Sequence, residues 1–366
     1  MPERDPVDIG GAPVVTLKTP KPPSASSKPV FVSAQILPGR GMMTLQIKAH
    51  LPQQGETDLL DAPPLDKARE FFNEEANGFK GNPSFLVGGA ILLPYANRIR
   101  GNLSADGKVI RTEILGKPVQ LPANGAGKEP GAERHSLHGL LLASRVDEVR
   151  RETTDGQDIV SASFRAGDFG HNWLSDTEVS FENVLSSESF SLRITARNVG
   201  SELLPMGIGW HPYFTLPSGR REQARLHVPA RERTLVNNYD DVFPTGDVVP
   251  VAGTPYDFSM PGGRALGGLF LDDCFVDLVK SAEGHVMAEI IDAEASYGLR
   301  VVATSPDISA IQVYAPPEKR YIVLEPQFNW ADPFGPQWGP DIDTGMVMLQ
   351  PGEAVTYSAR LELFTP

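Results

Sequence analysis

"EVSFENVLSSESFSLRITARN", residues 178–198, is the stretch whose pattern decides the fold class. Apolar residues recur at every second position, as Val179, Phe181 and Leu185 and then as Phe190, Leu192, Ile194 and Ala196. A period of two puts alternate side chains on one face, which marks a half-buried β-strand and not a helix. Outward from this pair, "FVSAQILP" (31–38), "MMTLQIKAH" (42–50), "VVATSP" (301–306), "SAIQVYAP" (309–316) and "AVTYSARLELF" (354–364) carry the same alternation and β-branched content. The 35 glycines and 33 prolines exceed what long helices tolerate, and they fall between these runs at turn positions. Strand follows strand with no regular βα alternation. The expected class is therefore mainly β, a large antiparallel β-sandwich with polar side chains on one sheet face free to line a groove. The best helical segment is "LDKAREFFNEE" (65–75), with Leu65, Ala68, Phe71 and Phe72 on one face.

Composition narrows the partners. A net charge of -13 argues against nucleic acid and against an anionic membrane, since both select basic surface, and leaves a small-molecule ligand open. The single cysteine, Cys274, can form no internal disulfide and no Cys-rich metal site. No run of roughly 18 apolar residues could span a bilayer, and "MPERDPVDIGGAPVV" has no continuous apolar core of a leader, so a soluble cytoplasmic protein is expected. No Gly-rich loop joins a strand to a helix, which disfavours parallel nucleotide-binding folds. Residues 1–30 include the Pro/Ser-rich "TPKPPSASSKP" and read as a tail or linker, or alternatively as a wrapped N-terminal arm. Residues 31–366 are expected to form one domain.

Several polar residues stand where strands end. In "GGAILLPYANRIRG" (88–101), Asn97 and Arg98 follow an apolar run and offer amide and guanidinium donors suited to hydroxyl lone pairs, or an Arg that satisfies nearby carbonyls. In "ERHSLHGLLLASRV" (133–146), the β context argues against a helical His135/His138 metal pair and puts His138 at the entrance of a buried run, while His135 is equally suited to solvent. His211 in "LPMGIGWHPYFTL" (204–216) lies beside Trp210, Tyr213 and Phe214, where an imidazole is partly desolvated and drawn toward its neutral form. That suits either proton transfer or a structural hydrogen bond. Glu325 follows the apolar Tyr321–Leu324 and must emerge at a strand end or be paired, with Pro326 expected to break the ladder. As a partly dry carboxylate it could serve as a general base, or salt-bridge to Arg320. Phe328, Trp330 and Phe334 offer an aromatic wall for the apolar face of a ligand. "LDDCF" (271–275) supplies Asp272 and Asp273, and Gln312 projects from a strand whose inward face is open at this stage.

Taken together, "PYANRI", "SLHG", "WHPYF", "DDCF", "IQVY" and "LEPQ" resemble, in order, the segments of the aldose 1-epimerase (galactose mutarotase) family, over roughly residues 30–366. The resemblance implies a β-supersandwich with a hexose-binding groove and an enzyme that interconverts the α and β anomers of an aldohexose. It implies Glu325 as the base and His211 as the acid, with Asn97, Arg98, His138, Asp272 and Gln312 as sugar or ring-oxygen contacts. Asp272 is preferred to Asp273 because the family places its acid three residues before the aromatic, here Phe275. No cofactor and no metal are called for, and the partner is a small aldose. "GWHPYF" and the aromatic continuation after Pro326 depart from the best-known galactose mutarotases, which leaves the sugar open. A hexose-6-phosphate 1-epimerase is an alternative if Arg98, Arg100 and Arg111 form a basic patch, as is a non-catalytic carbohydrate-binding protein using the same groove.

Overall fold

The computed structural model describes residues 7–19 and 27–366. Among these residues two large antiparallel sheets dominate, one of eleven strands and one of nine. The nine-stranded sheet runs from Glu148–Thr153 through Asp158–Gly167, Thr177–Leu185, Ser189–Asn198, Ala354–Phe364, Tyr297–Ala303, Val286–Asp292 and Arg225–His227 to Arg264–Ala265. Here the period-two pattern works as expected: Val179, Phe181, Leu185, Phe190, Leu192, Ile194 and Ala196 all enter the shared core, while Ser180, Glu182 and Arg193 lie across the sheet. The two halves of the opening stretch pair with each other, Val179 against Ala196 and Phe181 against Ile194.

The eleven-stranded sheet holds the strands that matter for function. From its middle outward, Leu271–Leu278 pairs with Ala310–Ala315, that strand with Tyr321–Gln327, that with Gly209–Thr215, and that with Gly89–Leu92, all antiparallel. Alternation sends Trp210, Phe214, Phe275, Ile311, Val313, Ile322 and Leu324 into the core between the sheets. Their strand neighbours His211, Tyr213, Asp272, Gln312, Tyr314 and Glu325 face the other way, into a cavity. Burying the first set is what fixes the direction of the second, because a one-residue slip would exchange the faces.

The expected helix forms as Leu65–Asn73 and packs Ala68 and Phe72 against Ile9, Leu37, Met43 and Leu45, with Leu65 and Phe71 partly buried beside them. Of the readings of the N-terminal stretch, the arm describes residues 7–19, where Val15–Lys18 adds a strand to the edge of the large sheet against Val30–Leu37. Residues 1–6 and 20–26, which include most of "TPKPPSASSKP", lie outside the described residues. Among the described residues no helix is long and apolar enough to cross a membrane.

Pro326 does not end its strand. The ladder to Ala310–Ala315 continues through Ile311 and Pro326 to Ala310 and Gln327. On the opposite side Gly209 pairs with Gln327 and Tyr213 with Val323, and the positions between are unpaired. Pro212 and Pro326 both fall in that gap, and neither carries an N–H that the parting of the two strands would leave unmet. The Pro326 carbonyl is taken instead by the Tyr357 hydroxyl from the facing sheet, at 2.9 Å.

Candidate active site

The gap sets the geometry of the site. Midway between the two flanking pairs, His211 stands across from Glu325, and Glu325 is paired with Gln312 on its other side. Facing residues in an antiparallel pair point to one face, so three polar side chains form a row across three strands. The His211 Nε2 lies 3.3 Å from Glu325 Oε1. His138 reaches the same place from the segment after Ser136–Leu137, its ring 4.8 Å from that of His211 and edge-on to it. Asn97 and His138 both hold left-handed backbone, with φ of 60° and 62°, and are tied together by the His138 N–H donating to the Asn97 carbonyl at 2.9 Å. Asn and His tolerate that region better than most residues. Gly139 must follow, because a Cβ there would lie 2.4 Å from the Leu93 carbonyl oxygen.

Asn97, Arg98, Asp272 and Gln312 form a closed circuit beside the pair. Arg98 Nη1 donates to Asn97 Oδ1 at 3.0 Å, Asn97 Nδ2 to Gln312 Oε1 at 3.1 Å, and Gln312 Nε2 to Asp272 Oδ1 at 2.6 Å. Arg98 Nη2 closes it 3.7 Å from Asp272 Oδ2. All seven residues named from the sequence thus line one cavity of about 230 Å³. Asp273 points to the other face, where it accepts from Arg233 and Tyr239.

Burial governs the proton affinities. Glu325 is 1% exposed, and desolvation, reinforced by Asp272 and opposed by Arg98, holds its carboxyl well above the usual range. Burial pulls His211 down to about 4 and His138 well below its ordinary value. Asp272 is pushed up by burial against the pull of Arg98. In this cavity Glu325 Oε2, His211 Nδ1, His138 Nδ1 and Arg98 Nε are buried with no protein partner. Leaving such groups unpaired is costly, and a cluster of them around one cavity is what a polar ligand would relieve.

His138, His211 and Glu325 each offer an atom within 4.8 Å of the others, a spacing a divalent cation could use. A metal-binding imidazole, however, ordinarily gives its second ring nitrogen to a carbonyl or carboxylate that fixes its tautomer. The Nδ1 atoms of both histidines lack one. The set is therefore better suited to moving protons than to holding a cation.

Several expectations need correction. His135 is not exposed: it is buried with its ring edge-on to Phe243, away from the cavity, and burial draws it to about 3. Of the aromatic neighbours of His211 only Tyr213 shares its face, because alternation carries Trp210 and Phe214 into the core. Phe328, Trp330 and Phe334 do not wall the cavity. Their segment clamps the Asn97 loop instead: Asn329 bonds both backbone groups of Ala96, and the Asp332 N–H donates to the Arg98 carbonyl at 2.7 Å. Arg320 does not pair with Glu325, and the basic patch does not converge, since Arg100 is engaged by Glu133 and only Arg98 of the three arginines reaches the cavity. Unread from the sequence was Tyr314, two residues from Gln312 on the same strand face, where the period of two would have found it. Tyr239, Phe270 and Lys128 arrive from loops, with no local pattern to announce them.

Two stacked antiparallel sheets with this cavity on the outer face of the larger one define the galactose mutarotase-like supersandwich. Its resemblance to a galactose mutarotase-like protein from Clostridium acetobutylicum gives a TM-score of 0.73 over 96% of this chain and 98% of that one, at 18% identity. The family profile of aldose 1-epimerase matches residues 64–362, and the chain belongs to that family. Human galactose mutarotase is 26% identical over 286 residues, 72% of this chain and 75% of that protein. The uncharacterized protein YphB of Escherichia coli K12 is 28% identical over 157 residues, 42% of this chain, and that match spans only 46% of YphB.

Proposed function

We propose that residues 31–366 act as one catalytic domain that interconverts the α and β anomers of a free aldohexose by opening and reclosing the ring. The observation that carries this reading is the His211–Glu325 contact of 3.3 Å on the floor of one cavity. Opening a pyranose removes the proton from the hydroxyl on C1 and adds one to the ring oxygen. Both oxygens are bonded to the same carbon, so the base and the acid must be neighbours.

The pair needs one proton between its two members. With Glu325 ionised and His211 protonated, Glu325 takes the C1 hydroxyl proton while His211 gives its own to the ring oxygen, and the C1–ring oxygen bond breaks to leave an aldehyde. The pair is then a neutral acid and a neutral imidazole, the arrangement that burial favours. Rotation about the C1–C2 bond presents the other carbonyl face. Reclosure returns both protons to their starting groups. The circuit of Asn97, Arg98, Asp272 and Gln312, with His138, would hold the sugar hydroxyls, so that positioning and proton transfer act together.

The test is polarimetry of freshly dissolved α-D-glucose and α-D-galactose. Accelerated mutarotation should fall by about 10²- to 10⁴-fold in Glu325→Gln, and His211→Asn should lose turnover with a smaller loss of sugar affinity. Decay of rotation at the same rate with and without protein over a panel of aldoses would leave only a carbohydrate-binding role.

A further inference from the structure

We propose that Tyr213 is a positioning residue for His211, its hydroxyl latched to the Phe85 carbonyl so that one aromatic bracket sets the angle of both cavity imidazoles. This rests on the anomerisation reading above, in which His211 must deliver a proton to one oxygen. The last torsion of a histidine is broad and roughly twofold, and a hydrogen bond on the second ring nitrogen ordinarily decides which edge faces a partner. Among the described residues neither His211 Nδ1 nor His138 Nδ1 has one. The 3.3 Å contact of Nε2 with Glu325 cannot replace it, because the reaction exchanges that contact for sugar oxygens. Packing must therefore hold the ring.

Four rings close that packing into a loop. Tyr213 lies 4.9 Å from His211 and tilted by 36°, His211 lies 4.8 Å from His138, and His138 lies 5.1 Å from Phe85. The Tyr213 hydroxyl completes the loop by donating to the Phe85 carbonyl at 2.8 Å, and Tyr321 backs the Tyr213 ring edge-on at 4.9 Å. The latch has a fixed anchor. Ser84 donates to the Leu142 carbonyl at 2.7 Å, and Asn82 donates to the Asn124 carbonyl at 2.9 Å. Asn124 Oδ1 in turn accepts the Leu137 N–H at 2.8 Å, so the turn carrying Phe85 is tied to the residue before His138. All four rings are buried, and the hydroxyl of Tyr213 joins the strand of His211 to the segment of the second histidine.

The experiment is Tyr213→Phe, which keeps the ring and removes the latch. Mutarotation of α-D-galactose should show kcat about tenfold lower with KM changed less than about twofold, because Asn97, Arg98, Asp272 and Gln312 still hold the sugar. The groups that face the His211 ring, His138, Glu325 and the Arg98 charge, are unchanged, so a loosened ring that admits water should move its acid limb from about 4 toward about 6.5. Histidine NMR without sugar should show the same shift. Ser84→Ala, which frees the anchor and has no atom in the cavity, should lower kcat in the same direction by about threefold. A lower denaturant midpoint with kcat, acid limb and NMR titration all unchanged would make the hydroxyl purely structural and overturn the proposal. So would a higher KM with kcat intact, which would make Tyr213 a sugar contact. A wild-type protein that turns over no aldose would end the anomerisation reading alone, and the NMR titration would still decide whether Tyr213 holds the ring.

Discussion

Two carboxylates lie buried on adjoining parts of one sheet, and they are treated in opposite ways. Asp273 is fully covered and fully answered: Arg233 at 2.6 Å, the Tyr239 hydroxyl on both oxygens and the Asp272 N–H all serve it. Glu325 is just as dry, yet it has one contact of 3.3 Å to an imidazole, and its second oxygen is bare. Burial raises the affinity of both for protons, but partners bring Asp273 only to about 6 while Glu325 is held well above the usual range. A carboxylate that supports the fold is satisfied, whereas one kept for chemistry is left wanting a ligand. What separates Asp272 from Asp273 is the face each takes, since Asp272 lines the cavity and Asp273 does not, which the doublet alone could not tell.

This contrast can be broken most directly by exchanging the losses. Glu325→Gln should abolish most turnover at little cost in stability, because it puts an amide of the same shape in place of a buried carboxyl that has no full complement of partners. Asp273→Ala should do the reverse in stability. It strips the counter-ion from Arg233, which is 13% exposed and stacked on Tyr256, and removing one member of a buried ion pair costs about 3–5 kcal/mol. Denaturant midpoints of the two variants check this, and a Glu325→Gln protein as destabilised as Asp273→Ala would mean that both carboxylates are structural.

A smaller effect sharpens the contrast through pH. If the His211–Glu325 pair works with one proton, activity fails when a second is added and when the last is lost. The second proton goes to an imidazole drawn down to about 4, so the acid limb of kcat/KM should appear as pH drops through about 4. The alkaline limb belongs to the raised carboxyl and should lie above the ordinary Glu range. Rates corrected for spontaneous mutarotation give the profile. An acid limb at the ordinary histidine value of about 6.5 would show an imidazole in contact with water.

How much of this was legible follows from where each residue sits. Strands could be read because the core takes alternate side chains, and the site residues His211, Gln312 and Glu325 ride on those strands, with Asn97 and His138 at element ends. Asn183 shows the limit within a strand, an amide buried at a core position of the pattern. Pro326 misled because a proline ends a ladder only on the side its missing N–H would have served, and the other side runs on. The aromatic run after Glu325 misled because its role as a clamp on Ala96 and Arg98 depends on a contact more than 200 residues distant in the chain. Tyr239 and Phe270 sit in loops whose placement comes from tertiary packing, to which no local period corresponds.

The smallest effect concerns His135, a third buried histidine with no place in the cavity. Its ring packs on Phe243 and is drawn to about 3 chiefly by burial, with Arg98 adding to the shift. The folded protein therefore holds it neutral where the unfolded chain, with an ordinary value of about 6.5, binds a proton. Between these two values the unfolded state carries more protons, so the contribution of His135 to stability is complete above about 6.5 and is lost as pH falls toward about 3. His135→Gln removes that loss. Its unfolding midpoint should decline less steeply than the wild type on acidification from pH 6.5 to pH 4, whatever constant offset the lost packing on Phe243 introduces. Mutarotation at neutral pH should be nearly unchanged, in contrast to His211→Asn, and parallel midpoint curves for variant and wild type would show that His135 is open to protons in the folded state.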